Sequence, residues 1–90
     1  MELECAIEIV NKRGLHARAA ARFASLAASF SSTIRVQRDA MQANGKSIMG
    51  LMMLAAPVGS HLQIRADGED ARAAIDALKA LIDDRFGEGE

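Results

Sequence analysis

Three segments of this chain alternate apolar and polar residues one for one, and no other feature limits its fold as strongly. In residues 2–10, Leu3, Cys5, Ile7 and Ile9 point one way, with Glu2, Glu4, Ala6 and Glu8 between them. In 33–38, Ile34 and Val36 alternate with Thr33, Arg35 and Gln37; in 61–66, Leu62, Ile64 and Ala66 alternate with His61, Gln63 and Arg65. Strand side chains repeat every two residues, so each segment predicts a strand with one buried and one solvated face. Parallel strands covered on both faces read instead as continuous apolar runs. The sheet is therefore expected to be antiparallel and covered by helices on one side only.

The cover lies between and after the strands. From Ala17 to about Phe30 the chain is mostly alanine, with Phe23, Leu26, Ala27 and Phe30 at helical spacing; the small residues let such a helix lie close on a sheet. Met41–Ala43 reads as a short strand between the turns Asp39-Ala40 and Asn44-Gly45. Ser47 to about Leu54 reads as a short helix closed by Pro57, Val58 and Gly59. From Glu69 to about Asp84 runs an amphipathic helix, with Ala71, Ala74, Ile75, Leu78, Leu81 and Ile82 on one stripe. Glu69 and Asp70 fall in its expected first turn, where the helix dipole favours acids. The order β-α-β-β-α-β-α predicts an α+β open-faced sandwich, with a four-stranded antiparallel sheet and three helices on one face. The 90 residues suit one domain, 1–90, with 87–90 as a frayed tail.

Composition removes several functions. The net charge is −1, with no Lys/Arg block, no Trp, no Tyr and three Phe, so neither a basic face nor stacking platforms for nucleic acid are expected. One cysteine, Cys5, rules out an internal disulfide framework, and Cys5, His16 and His61 lack metal-ligand spacing. No cofactor or metal is expected. The acidic start is unlike a signal peptide, and the longest apolar stretch, Ile48 to Val58, is broken by Gly50 and Pro57. A cytoplasmic protein without membrane insertion follows as the expectation.

Chemistry concentrates at Gly14-Leu15-His16-Ala17-Arg18. His16 stands at the predicted N-cap of the first helix, where Ser, Thr, Asp or Asn is favoured. A local rule broken at a clear helix start points to a functional site. The N–H groups of Ala17, Arg18 and Ala19 carry the positive end of the helix dipole and make an anion site. Arg18 adds a planar cation suited to phosphate oxygens. With a reference pKa of about 6.5, an imidazole is largely neutral at pH 7 and offers a nucleophilic nitrogen. A phosphorylated ring nitrogen is also a good leaving group, so the group is easily loaded and unloaded; serine would form a stable ester. The residues alone leave an exposed histidine beside a solvated arginine as an equal alternative.

The segment Asn11-Lys12-Arg13-Gly14-Leu15-His16-Ala17-Arg18-Ala19-Ala20 resembles the active-site segment of the HPr family, histidine-containing phosphocarriers of the bacterial phosphoenolpyruvate-dependent phosphotransferase system. The likeness continues through Asn44-Gly45-Lys46-Ser47-Ile48-Met49-Gly50-Leu51-Met52 and covers essentially the whole chain. It implies that His16 is phosphorylated on Nδ1 by phospho-enzyme I and passes the group to an enzyme IIA, with Arg18 assisting at the phosphate. It implies a carrier, not an enzyme. Most of the family has proline after that arginine, where this chain has Ala19, leaving the turn less rigid. Ala19 and the tail from Asp83 to Glu90 also resemble the nitrogen-related NPr branch.

Ser47 by itself reads as an ordinary N-cap. The resemblance adds regulatory phosphorylation there by an HPr kinase/phosphorylase, whose product would repel acidic partner surfaces. Ile48, Met49, Leu51, Met52, Met53 and Leu54 make the short helix apolar on nearly every side, more than a one-sided sheet can bury. The remainder should form an adaptable docking patch, and the resemblance assigns Ile48, Met49 and Met52 to partner contact. Transient contacts of modest area suit a monomer. The rival is a regulatory binding module working through Ser47 and the apolar helix 47–54. His61 reads as a solvated histidine with no acid placed to orient it, Cys5 as a buried structural thiol, and Asp83, Asp84, Glu88 and Glu90 as a solvated tail.

Overall fold

The computed structural model describes residues 1–88. In chain order the elements are β1 (Glu2–Glu8), α1 (Ala17–Ala28), β2 (Thr33–Arg38), β3 (Met41–Asn44), α2 (Ile48–Met53), β4 (His61–Asp67) and α3 (Ala71–Asp83), then a 3-10 turn at Arg85–Gly87. The sheet runs β1-β4-β2-β3, every pair antiparallel. Its register aligns the alternation: Cys5 faces Ile64, Ile64 faces Val36, and Val36 faces Ala43, a row of inward side chains across all four strands. The outward row carries Glu4, Arg65 and Arg35. Two arginines side by side repel, but the Glu4 carboxylate accepts from Arg65 Nε at 2.8 Å and from its Nη2.

The helices cover the inward face as expected. Ala19, Ala20, Ala24 and Ala27 give α1 a flat buried face around Phe23, and Ala71, Ala74, Ile75, Leu78 and Ile82 do the same for α3. Several element ends shift by one or two residues from the sequence reading, β1 stopping at Glu8 rather than at residue 10, and two of the shifts have a visible cause. α1 stops at Ala28 rather than near Phe30, because the Ser29 hydroxyl turns back onto the Leu26 carbonyl at 2.6 Å. Glu69 and Asp70 precede α3 rather than forming its first turn, and the Asp70 side chain does not cap it. That carboxylate instead accepts from the Ser32 hydroxyl and from the N–H groups of Ser31 (2.8 Å) and Ser32 (2.9 Å), tying the α1–β2 loop to the start of α3.

These bonds, led by the Ser32 hydroxyl, hold the Asp70 carboxyl at about 2, below its ordinary 3.8. A value lowered by folding stabilises fully above 3.8 and is lost as pH falls toward about 2. Asp70→Ala is therefore expected to be less stable than the parent at pH 6, with the gap closing across that acid window. Urea unfolding over a pH series reads the difference.

The largest departure is at the C-terminal end. The expected fraying of 87–90 does not hold for Gly87 and Glu88, and residues 89–90 lie outside the described residues. After α3 the chain turns left-handed at Arg85, Phe86 and Gly87 (φ 54°, 55° and 76°). Such a conformation costs about 1–2 kcal/mol for each non-glycine residue. Phe86 is completely buried, which returns about 1.5–3 kcal/mol. The Arg22 guanidinium also donates to its carbonyl. The chain end is thus pinned back toward α1.

Candidate functional site

The site is assembled by the loop from β1 to α1. Ile9 is buried; its N–H donates to the Ser60 carbonyl at 2.9 Å and its carbonyl accepts from Gly59 at 2.8 Å. Asn11, also fully buried, donates through Nδ2 to the Gly14 carbonyl at 2.7 Å. The Gly14 N–H returns to the Asn11 carbonyl at 3.1 Å. Gly14 has φ +68° and packs so tightly that a Cβ would stand 2.5 Å from the Ala56 carbonyl oxygen. Next, buried Leu15 donates its N–H to that same Ala56 carbonyl at 2.8 Å. Two successive residues are therefore seated on one backbone segment, and the following residue has little freedom.

That residue is His16. It is extended (φ −80°, ψ −179°) at the N-cap of α1, and its side chain makes no capping bond. The first helical hydrogen bond is Ala20 N–H to the His16 carbonyl, 2.8 Å. The N–H groups of Ala17, Arg18 and Ala19 thus precede the ladder, as the sequence predicts. Arg18 is exposed at the second position of the helix. The imidazole is neither buried nor free: its side chain is 22% exposed.

Sequence reasoning missed what limits its exposure. The Glu88 carboxylate meets His16 Nε2 through Oε2 and accepts from Asn11 Nδ2 at 3.1 Å through Oε1. Its side chain is only 6% exposed, so this acid does not belong to a solvated tail. Burial pushes the carboxyl up, yet hydrogen bonds from His16 and Asn11, with the nearby charge of Arg13, outweigh it and hold the group below its ordinary range. The one sequence signal was Phe86, a large apolar residue just past an amphipathic helix, which had to be buried somewhere.

Ser47 is half-buried at the start of α2, and its Oγ accepts from the Gly50 N–H at 3.0 Å. Its capping role is thus real. Leu51 and Leu54 are fully buried, whereas Ile48, Met49, Met52 and Met53 are exposed, Met49 to 76%. α2 packs against α1, and the Ala56 segment just after it seats the loop of His16. The helix that bears the apolar face and the loop that carries His16 therefore meet at one backbone segment.

The remaining candidates are brought to no common site. His61 lies across from Glu8, an acid the sequence reading did not place there, but the 3.8 Å separation between exposed groups is no hydrogen bond. Cys5 is half-buried rather than buried, packed at the core edge. Among the described residues no cluster of three or more His, Cys, Asp or Glu could hold a metal ion, and no helix is long and apolar enough to cross a membrane.

Comparison with known proteins identifies the family. The family pattern described as "PTS HPr component phosphorylation site" matches residues 3–84. The chain belongs to the HPr family. Phosphocarrier protein HPr of Cupriavidus necator is 54% identical over 82 residues, 91% of this chain and 92% of the relative. Phosphocarrier protein NPr of Shewanella violacea is 41% identical over 87 residues, 97% and 96% of the two chains. The crystal structure of HPr-C-His from Thermoanaerobacter tengcongensis superposes with a TM-score of 0.92 at 49% identity, covering 96% of this chain and 97% of that one. HPr proteins are phosphocarriers, not enzymes, and the role of this chain is that of a phosphocarrier in the phosphotransferase system.

Proposed function

We propose that His16 is the residue that carries the phosphoryl group, accepting it on Nδ1 from phospho-enzyme I and passing it to an enzyme IIA. The observation that carries this reading is the partly exposed imidazole, free of capping duty, at the N-terminal end of α1. The N–H groups of Ala17, Arg18 and Ala19 and the Arg18 guanidinium supply donors for the phosphate oxygens. An imidazole suits a relay because it is nucleophilic when neutral and departs readily when phosphorylated. The test is incubation with phosphoenolpyruvate and enzyme I, followed by peptide mapping under alkaline conditions. An acid-labile phosphoryl group on the peptide containing His16 is expected; a label confined to the His61 peptide would overturn the assignment.

Ile48, Met49 and Met52 form the surface on which both partners dock in turn. Their exposure supports this, since methionine adapts to more than one partner. Met49→Glu is expected to leave stability within about 0.5 kcal/mol, as for an exposed site. The same change should weaken enzyme I binding ~10-fold or more, the equivalent of about 1.4 kcal/mol, as read by titration calorimetry.

Ser47 is the regulatory position. Phosphorylation by an HPr kinase/phosphorylase would set about two negative charges at the edge of the docking face without entering the core. Ser47→Ala is expected to cost about 1 kcal/mol through loss of the cap, measured by urea unfolding. Ser47→Asp is expected to weaken enzyme I binding in the same calorimetric assay.

A further inference from the structure

Phosphoryl transfer at Nδ1 leaves the other ring nitrogen unassigned, and the structure gives it a partner. Glu88 Oε2 meets Nε2 of His16. The acid is held from several sides: Asn11 Nδ2 donates to Oε1 at 3.1 Å, buried Phe86 anchors the chain two residues earlier, and Arg22 grips the Phe86 carbonyl. Asn11 bonds the Gly14 carbonyl with the same amide group, so one side chain ties the loop that positions His16 to the acid that meets its ring. An ionised carboxylate only accepts, so Nε2 must be the donor and carry the proton. A neutral ring protonated on Nε2 has its lone pair on Nδ1.

We propose that Glu88 is a positioning residue for phosphoryl transfer, holding the proton on Nε2 of His16 so that Nδ1 remains the nucleophile. This deepens the assignment of His16 and rests on it. In the loading step the Nδ1 lone pair forms the bond to phosphorus while the bond from phosphorus to the donor breaks. Nε2 keeps its proton, so the ring becomes cationic, and the Glu88 carboxylate faces that charge. On discharge the electron pair of the Nδ1–P bond returns to Nδ1, the ring becomes neutral again, and no proton has left Nε2. A carboxylate fixing an imidazole in this way sets both its orientation and its tautomer.

The test compares the parent with Glu88→Gln and Glu88→Ala, each labelled with 15N-histidine. Two quantities are read: the rate of loading by phospho-enzyme I, and the Nε2 proton signal of His16 in NMR. Both variants are expected to load at least ~10-fold more slowly, with the Nε2 proton exchanging visibly faster with water. Circular dichroism and the unfolding midpoint of the isosteric Gln variant should match the parent. Parent-like loading in Glu88→Gln, or an unchanged Nε2 signal, overturns the proposal. So does slower loading that only tracks a loss of folded protein in both variants. Loading of His16→Ala would instead overturn the assignment of His16, so the two failures are distinguishable.

Discussion

With His16 replaced by alanine, the protein is expected to accept no phosphoryl group from phospho-enzyme I, while folding as the parent does. The loss is complete because no other group can substitute. His61 lies on the solvated face of the sheet, whereas His16 starts α1, which packs against α2. The Ser47 oxygen caps Gly50, and an ester there would not discharge as a phosphoramidate does. Folding should survive because the imidazole caps nothing and is not part of the hydrophobic core. The change does remove one of the two hydrogen-bond partners of Glu88, so a small loss of stability, about 1 kcal/mol, is expected. Autoradiography after incubation with labelled phosphoenolpyruvate and enzyme I, alongside urea unfolding, separates the two effects.

Gly14→Ala is expected to damage both fold and function although Gly14 carries no chemistry. Its φ of +68° disfavours any side chain, and the added Cβ would meet the Ala56 carbonyl oxygen at 2.5 Å and Pro57 Cα at 2.8 Å. Both obstacles are backbone, so neither can swing aside. Strain and displacement together should cost about 3 kcal/mol. The loop can relieve the clash only by moving away from the Ala56 segment, which also releases Leu15 and shifts His16. A misplacement of about 1 Å can cost ~100-fold in rate. Loading by phospho-enzyme I is therefore expected to fall far more than the folded fraction does. Denaturant unfolding and single-turnover phosphorylation measure the two quantities on one sample.

The sheet was legible because a period of two and a polar outer face leave few alternatives. Leu3, Ile7, Ile34, Val36, Leu62 and Ile64 all point where the alternation puts them. His16, Ala17, Arg18 and Ala19 were legible for a related reason: a helix N-terminus is a local feature, marked by a glycine turn before it and an alanine run after it. What stayed hidden depends on contacts distant in sequence. Asp70 looked like an acid of the α3 first turn, but it bonds Ser31 and Ser32, nearly forty residues earlier in the chain. Glu88 looked like part of an acidic tail because its partners, Asn11 and His16, lie at the far end of the sequence. Glycine and acids near a chain end read as solvated, but the burial of Phe86 and the bonds from Arg22, Asn11 and His16 bring this segment back.

The most direct test of the account is 31P NMR of the protein after loading by phosphoenolpyruvate and enzyme I, followed by addition of an enzyme IIA. One phosphoramidate resonance, coupled to Nδ1 of His16 in 15N-labelled protein and vanishing as the IIA becomes labelled, is the expected result. A resonance of a serine phosphoester alone, or a phosphohistidine that persists when the acceptor is present, would contradict it.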